Sequence, residues 1–255
     1  MSALLAVTEV AHDVWFARGR DVNWTLLVDG TDVTVVDAGY PGYVEAVRES
    51  LDAIGRSWND VTAVLVTHAH VDHIGALPAL LRERPAPVYA AAAELPALHG
   101  EPHESAGVGD VVRHLTGHGV LPWAVRISLA GGGAAVTVPS ATAFEAVRTW
   151  DDTLDVPGHP VPVATPGHTS GHTAYLLPEV GAVATGDTLC TGHALSRDEG
   201  PQLLAPWFDH DRAGVIASLA VLADLDADIL LPGHGPLLGA SMAEAAEIAR
   251  ERVAG

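Results

Sequence analysis

Between Thr67 and His73 the chain reads Thr-His-Ala-His-Val-Asp-His. Three imidazoles and a carboxylate thus fall within six positions. Imidazole nitrogen and carboxylate oxygen are the donors expected of zinc or non-haem iron, and no thiolate is needed to complete the set. The apolar run 61–66 precedes the motif and reads as a buried strand. His68 and His70, two positions apart, can therefore converge only where the chain leaves that strand. A polar turn with exposed histidines is the bland reading; the density of donors at a strand end argues for a metal site. Further donors occur in short strings at the ends of other apolar runs. Asp37 closes Val33-Thr-Val-Val-Asp, His168 and His172 lie in Thr165-Pro-Gly-His-Thr-Ser-Gly-His, Asp187 lies in Thr185-Gly-Asp-Thr, and His234 lies in Leu231-Pro-Gly-His-Gly.

His68-x-His70-x-Asp72-His73 after an apolar strand resembles the signature of the metallo-β-lactamase fold, a large superfamily of metal-dependent hydrolases. Asp37, His168, Asp187 and His234 match the other motifs of that family in order, over residues 37–234. The resemblance implies an α/β chain folded as a four-layer αββα sandwich. It also implies a ligand set: His68, His70 and His168 on a first ion, Asp72, His73 and His234 on a second, and Asp187 bridging the two. Zinc is the expected metal, two ions per chain, with iron or manganese as alternatives. Asp37 is expected behind the ligands, orienting one rather than binding metal, and His172 is read as a hydrogen-bond donor near His168 or equally as a plain structural residue. Aspartate at 187 separates the chain from β-lactamases with a cysteine ligand and moves it toward the glyoxalase II, lactonase and phosphodiesterase branches. Cys190, three residues on, reads as a buried inert thiol.

The chemistry expected of such a centre is hydrolysis by a metal-held hydroxide, with Asp72 as ligand and as proton acceptor. No Gly-x-Ser-x-Gly elbow is present to offer a serine nucleophile. A small ester, thioester, lactone or lactam is the substrate class. Thr-Pro-Gly-His-Thr-x-Gly-His and Gly-Asp-Thr are similar to the motifs of glyoxalase II, but those enzymes carry a helical C-terminal region that binds glutathione. Here only residues 235–255 follow His234, which argues against glutathione thioesters. Two other readings stay open: a mononuclear iron enzyme resembling persulfide dioxygenases, and a scaffold that binds a metabolite without turnover. Trp123, His193, Trp207 and Phe208 are candidate pocket residues, with His210 beside them; Trp207-Phe208 reads equally as a substrate wall or as core. His118 and His159 read as surface residues.

The elements that must position these groups are short. Runs 24–28 and 33–36 read as strands joined at the Asp29-Gly30 turn, 43–54 as a helix with Val44, Val47, Leu51 and Ile54 on one face, and 74–81 as a short helix. Run 88–90 reads as a strand and 91–98 as an alanine-rich helix. Runs 161–164, 174–177, 182–185 and 229–231 read as strands, and 212–223 and 241–253 as helices, the last with Ser241 as N-cap and Glu244 three residues on. Residues 100–139 fit least well, with Trp123, His103, His114, His118 and the Gly131-Gly-Gly133 run. They are expected to be a partly helical lid over the metal site, inserted in a single domain spanning 1–255, with a dimer contact or plain surface elaboration as the alternatives.

Composition agrees with a globular enzyme: 255 residues, 48% hydrophobic, one cysteine and so no internal disulfide. Acidic residues outnumber basic ones 32 to 13, a formal charge of −19, and every basic residue is arginine. A surface of that sign repels phosphate backbones and anionic lipids, so the expected partner is a small-molecule substrate, with no nucleic acid and no membrane. A homodimer is the one protein partner left open. The N-terminus has no basic region followed by a long apolar run, and the expected location is cytoplasmic.

Overall fold

The computed structural model describes residues 3–102, 104, 106–144 and 153–254. His103 lies outside them. Side chains along each strand divide between two apolar clusters. In β3 (Trp24–Asp29), Trp24, Leu26 and Val28 enter one cluster and Leu27 another. In β9 (Thr173–Leu177), Ala174 and Leu176 part from Tyr175 and Leu177 in the same way. The period of two is that of a pleated strand, but both faces are apolar, so each sheet must be covered on both sides.

That requirement produces four layers. The first sheet runs β1 (Leu4–Ala11), β2 (Val14–Gly19), β3, β4 (Asp32–Val36), β5 (Val61–Leu65), β6 (Val88–Ala90), β7 (Ala141–Ala143). It is antiparallel as far as β4 and parallel from β4 to β7. The second runs β12 (Leu238–Gly239), β11 (Ile229–Pro232), β10 (Ala182–Gly186), β9, β8 (Val161–Ala164), with β10 and β11 parallel. Helices α1 (Val44–Ala53) and α3 (Leu77–Glu83) cover the outer face of the first sheet through Val47, Leu51, Leu77 and Leu80. Helices α7 (Arg212–Ala223) and α8 (Met242–Ala254) cover the second through Leu219, Leu222 and Ala246. Between the sheets, Phe16, Leu27, Val36, Leu65, Tyr175 and Leu231 form the third core. The expected αββα sandwich is the fold found.

Three expectations change. Strands β1 and β2 are not among the expected elements; His12 and Asp13 join them, Asp13 taking at φ 61 the left-handed position that glycine or asparagine more often supplies. β1 is also an edge strand with mostly exposed side chains, so it lacks a clean alternation. The expected helix 74–81 is two helices, α2 (Val71–Ile74) and α3, and Pro78 sits in the first turn of α3, where its missing N–H costs nothing. Residues 91–98 form a 3-10 turn, Ala92–Glu94, running into α4 (Leu95–Leu98). Residues 100–139 hold α5 (Val108–Arg113) and α6 (Val120–Leu129) and lie on the crossover between the parallel strands β6 and β7.

Candidate metal centre

Each expected ligand follows the C-terminal end of a strand: His68, His70, Asp72 and His73 after β5, His168 after β8, Asp187 after β10, His234 after β11. The apolar strands deliver the chain to one edge of the sandwich, and the polar residues begin where it exits. Three groups of ligand atoms come together there: His68, His70 and His168; His68, His73 and Asp187; and Asp72, His73 and His234, with the atoms of each group within 4.8 Å of one another. His68 Nε2 and His168 Nε2 each lie 3.0 Å from His70 Nδ1. A tetrahedral ion bonded at about 2.0–2.1 Å sets its ligand atoms roughly 3.3 Å apart, close to that spacing. Asp187 Oδ2 lies 3.4 Å from His168 Nε2, 3.9 Å from His68 Nε2 and 3.2 Å from His234 Nε2, while Oδ1 lies 3.2 Å from His73 Nε2. One carboxylate therefore faces both sides of the cluster. Asp72 Oδ2 stands 3.6 Å from His234 Nε2 and accepts from the Tyr40 hydroxyl at 3.4 Å.

Every imidazole in the cluster has its outward nitrogen against an oxygen, which fixes the tautomer and turns the other nitrogen toward the cluster. His73 Nδ1 donates to Asp37 Oδ2 at 2.8 Å, His168 Nδ1 to Asp209 Oδ1 at 3.1 Å, and His234 Nδ1 to the Asp21 carbonyl at 2.6 Å. His70 is turned the other way, Nε2 donating to the Glu104 carbonyl at 2.5 Å and Nδ1 facing in. For His68 the argument takes one more step. The Thr67 hydroxyl gives its single proton to Asp37 Oδ2 at 2.8 Å, so it must accept from His68 Nδ1 at 3.0 Å. Asp37, at φ 63 on the end of β4, thus contacts His73 directly and His68 through Thr67. His172 serves the backbone of Asp187 rather than His168. Its Nε2 accepts from the Asp187 amide at 3.0 Å, and its Nδ1 proton goes to the hydroxyls of Thr165 and Thr188, each at 2.9 Å.

Close approach dictates two glycines. A Cβ on Gly186 would lie 2.6 Å from His172 Nε2, and one on Gly233 would lie 2.5 Å from Asp187 Oδ1. The fit to a cation is also visible in what protein atoms leave unmet. His73 Nε2 and Asp187 Oδ1 are buried and, although 3.2 Å apart, are not aligned as a hydrogen bond with each other or with another group. Burial, together with the facing His73, His70 and His168, holds His68 well below the ordinary histidine range. Burial and His168 hold His70 down to about 3. Both are thus neutral donors of the kind a metal requires. Burial alone would raise Asp187, but His234 and His73 outweigh it and keep the carboxylate ionised.

The candidate pocket residues also meet. The Trp123 ring lies 5.9 Å from His193, 5.7 Å from Phe208 and 6.2 Å from Trp207, and His193 lies 5.1 Å from His234. His114 stacks on Trp207 at 4.9 Å. A cleft of about 280 Å³ opens here, lined by Trp123, His193, His234 and Arg20 among others. His210 turns away toward Glu104, 3.4 Å from its carboxylate. His118 is exposed and His159 half-buried, and neither joins a ligand group. Cys190 is fully buried, its thiol pushed up by burial and then by Asp187. Tyr40, Asp21, Asn23, Glu94 and Asp209 were not anticipated. Only Glu94, an acid beside the alanines 90–93, carries a visible signal in the sequence.

Comparison with known proteins agrees with this geometry. The model of the metallo-beta-lactamase superfamily matches residues 17–234. The chain belongs to that superfamily and has the fold and metal-binding site of its hydrolases. Among curated proteins it is 26% identical to Probable metallo-hydrolase YflN of Bacillus subtilis, over 80% of this chain and 76% of that one. It is also 26% identical to a hydroxyacylglutathione hydrolase of Alkalilimnicola ehrlichii, over 75% of this chain but 53% of the relative. Among solved structures, MEM-A1, a subclass B3 metallo-beta-lactamase from a soil metagenome library, superposes with a TM-score of 0.69 at 18% identity, covering 98% of this chain and 94% of that one. Among the described residues no helix is long and apolar enough to cross a membrane.

Proposed function

We propose that the chain hydrolyses a small ester, thioester, lactone or lactam at a centre of two divalent ions, zinc in the first place. The observation that carries this reading is the Asp187 carboxylate, which stands 3.2–3.9 Å from ligands of both groups: Oδ2 near His68 and His168 of one and His234 of the other, and Oδ1 near His73. His68, His70 and His168 would hold one ion and Asp72, His73 and His234 the other, with Asp187 shared. When bound, such ions lower the pKa of a shared water toward neutrality and polarise the substrate oxygen. The presence of Asp72, His73 and His234 in one convergent group favours this over a mononuclear iron enzyme.

The chain's own groups supply the rest. Asp72 is the only expected ligand that is not buried, its side chain 17% exposed, so it can take a proton from water and release it to solvent. The Tyr40 hydroxyl donates to its Oδ2 and steadies it. His193 accepts at Nδ1 from the Leu195 amide at 3.3 Å, which leaves its proton on Nε2 as a donor toward the cleft. That donor suits a substrate carbonyl or the anion developing on it. Trp123, Trp207 and Phe208 would form the wall for an acyl chain or ring, with α5 and α6 as the lid that carries Trp123. A small-molecule substrate is the proposed partner. Metal analysis of protein purified without added metal, followed by a panel of esters, thioesters, lactones and β-lactams, tests the reading. Two ions and turnover of one class are expected; a single tightly held ion with no hydrolysis of any member would overturn it.

A further inference from the structure

Asp21 belongs at once to the crossover segment's anchorage and to the centre. Its carboxylate is buried and takes a forked contact from Arg126 of α6, Nη2 at 2.6 Å and Nε at 3.1 Å on the same oxygen, with the Tyr43 hydroxyl at 3.3 Å on the other. Its main-chain carbonyl is the acceptor that holds His234. Two residues on, Asn23 completes the seat. Its side-chain amide donates to the carbonyls of Pro232 and Gly235 at 2.9 and 2.8 Å, and its backbone amide donates to Gly233 at 2.8 Å. The short connection between β2 and β3 therefore grips the loop that carries His234, and Arg126 grips the connection.

We infer that Arg126 and Asp21 form a latch through which α6 sets the position of His234, and with it the hold on the second ion; the inference rests on the two-ion reading. A buried carboxylate that loses its guanidinium is driven toward water, because an unpaired buried charge is far costlier than an exposed one. Released from Arg126, the Asp21 carboxylate would turn toward the cleft it lines, and the short connection carrying the carbonyl that orients His234 would shift with it. Arg126 is a positioning residue here, acting on the centre through Asp21 and touching no ligand. Its side chain is 37% exposed, so the latch sits where movement of α6 would open it. The ligands of the first ion do not share this support: His68 is oriented by Thr67 and His168 by Asp209, while His70 leans on Glu104, which the Ser170 amide fixes at 2.7 Å.

The test uses metal-free full-length protein titrated with zinc against a chelating dye, and with cobalt(II) followed by its visible absorption. Wild type, Arg126→Gln, Arg126→Lys and Asp21→Asn are compared. In Arg126→Gln the first equivalent should bind as in wild type and the second about 10–100-fold more weakly, the range for removing a group that supports a metal ligand. Its cobalt spectrum should show the second-site bands only at excess metal. Arg126→Lys should fall between, since an ammonium keeps the charge but not the fork. Asp21→Asn keeps the carbonyl but removes the buried charge that would drive the turn, and should therefore hold the second equivalent more tightly than Arg126→Gln does. A second equivalent bound as tightly in Arg126→Gln as in wild type overturns the latch alone. So does equal weakening of both equivalents, which would mark a general loss of fold. Wild type that takes up one ion only overturns the two-ion reading and the latch with it.

Discussion

Behind His68, His70 and His168 stands a buried carboxylate; behind His234 stands a series of contacts that ends at a half-exposed arginine. Glu94, 3% exposed, accepts from the Ala69 amide at 2.7 Å, from the Thr169 hydroxyl at 2.6 Å and from the Gly171 amide at 3.0 Å. It joins the loop after β5 to the loop after β8, one from each sheet, so these three histidines are held where the two sheets meet. The other half of the centre combines His73, fixed by Asp37 from within the first sheet, with the less buried Asp72 and with His234 on its latch. On the proposed two-ion reading, the difference means that one edge of the fold would hold a firm half-site and an adjustable one. Chemistry that must admit substrate and release product suits the adjustable half, because motion there leaves the first set of ligands in place.

The largest expected effect falls on the residue both halves share. Asp187→Ala removes the carboxylate that faces all four neighbouring imidazoles and leaves bound cations without that compensating charge. At least one ion should be lost and turnover should fall by about 100-fold or more, roughly 2.7 kcal/mol of barrier. A variant that keeps two ions and near-normal activity would mean that the halves are not joined through this residue.

Glu94 comes next and distinguishes the halves. Glu94→Ala strands three donors, each costing about 1–3 kcal/mol when buried without a partner, so a loss of about 3 kcal/mol or more is expected in urea denaturation. Glu94→Gln keeps one accepting oxygen and should lose less. In both, the first equivalent of metal should weaken and the second follow only as far as the fold does. The contrast between the halves collapses if Glu94→Gln weakens the second equivalent and spares the first.

Trp123→Ala bears on the pocket over the adjustable half. The ring is 5% exposed and meets His193, Phe208 and Trp207, so its loss should remove contact with the substrate while every ligand stays. An increase of about tenfold in KM is expected, equal to 1.4 kcal/mol, with kcat within about twofold and metal content unchanged. A fall in kcat at constant KM would place Trp123 in the support of the centre rather than in the pocket.

The sequence marks the candidate ligands far better than it marks what holds them. His68, His70, Asp72 and His73 are adjacent in the chain because one strand end delivers them together, and His168, Asp187 and His234 each sit in a short glycine-containing string after an apolar run. Their supports leave little trace. The acceptors for His70 and His234 are the carbonyls of Glu104 and Asp21, and a carbonyl is present at every position, whatever the side chain. Asn23 acts on residues far away in sequence with nothing in its neighbours to mark the contact, and Glu94 shows only as an acid beside alanines, with no sign of what it holds. The fold class came from the family resemblance, which the strand and helix runs of both halves matched, while β1 escaped because an edge strand faces solvent and need not alternate.

The smallest effect is expected at Cys190, which lies behind Asp187 and could be mistaken for a ligand by position alone. Its Sγ points at the carbonyls of Gly186 and Asp187, 3.9 Å from each, and none of the convergent ligand groups includes it. Burial first and Asp187 second raise its pKa well above the ordinary thiol value. The thiolate is the reactive form, and here it is both suppressed and enclosed. Cys190→Ala should therefore keep both ions, hold turnover within about twofold and cost about 1 kcal/mol of stability, a typical value for a single substitution. Native protein should resist iodoacetamide and become labelled only on unfolding. Loss of an ion in Cys190→Ala, or rapid labelling of the folded enzyme, would show that the thiol reaches the centre and that the carboxylate does not join the two halves alone.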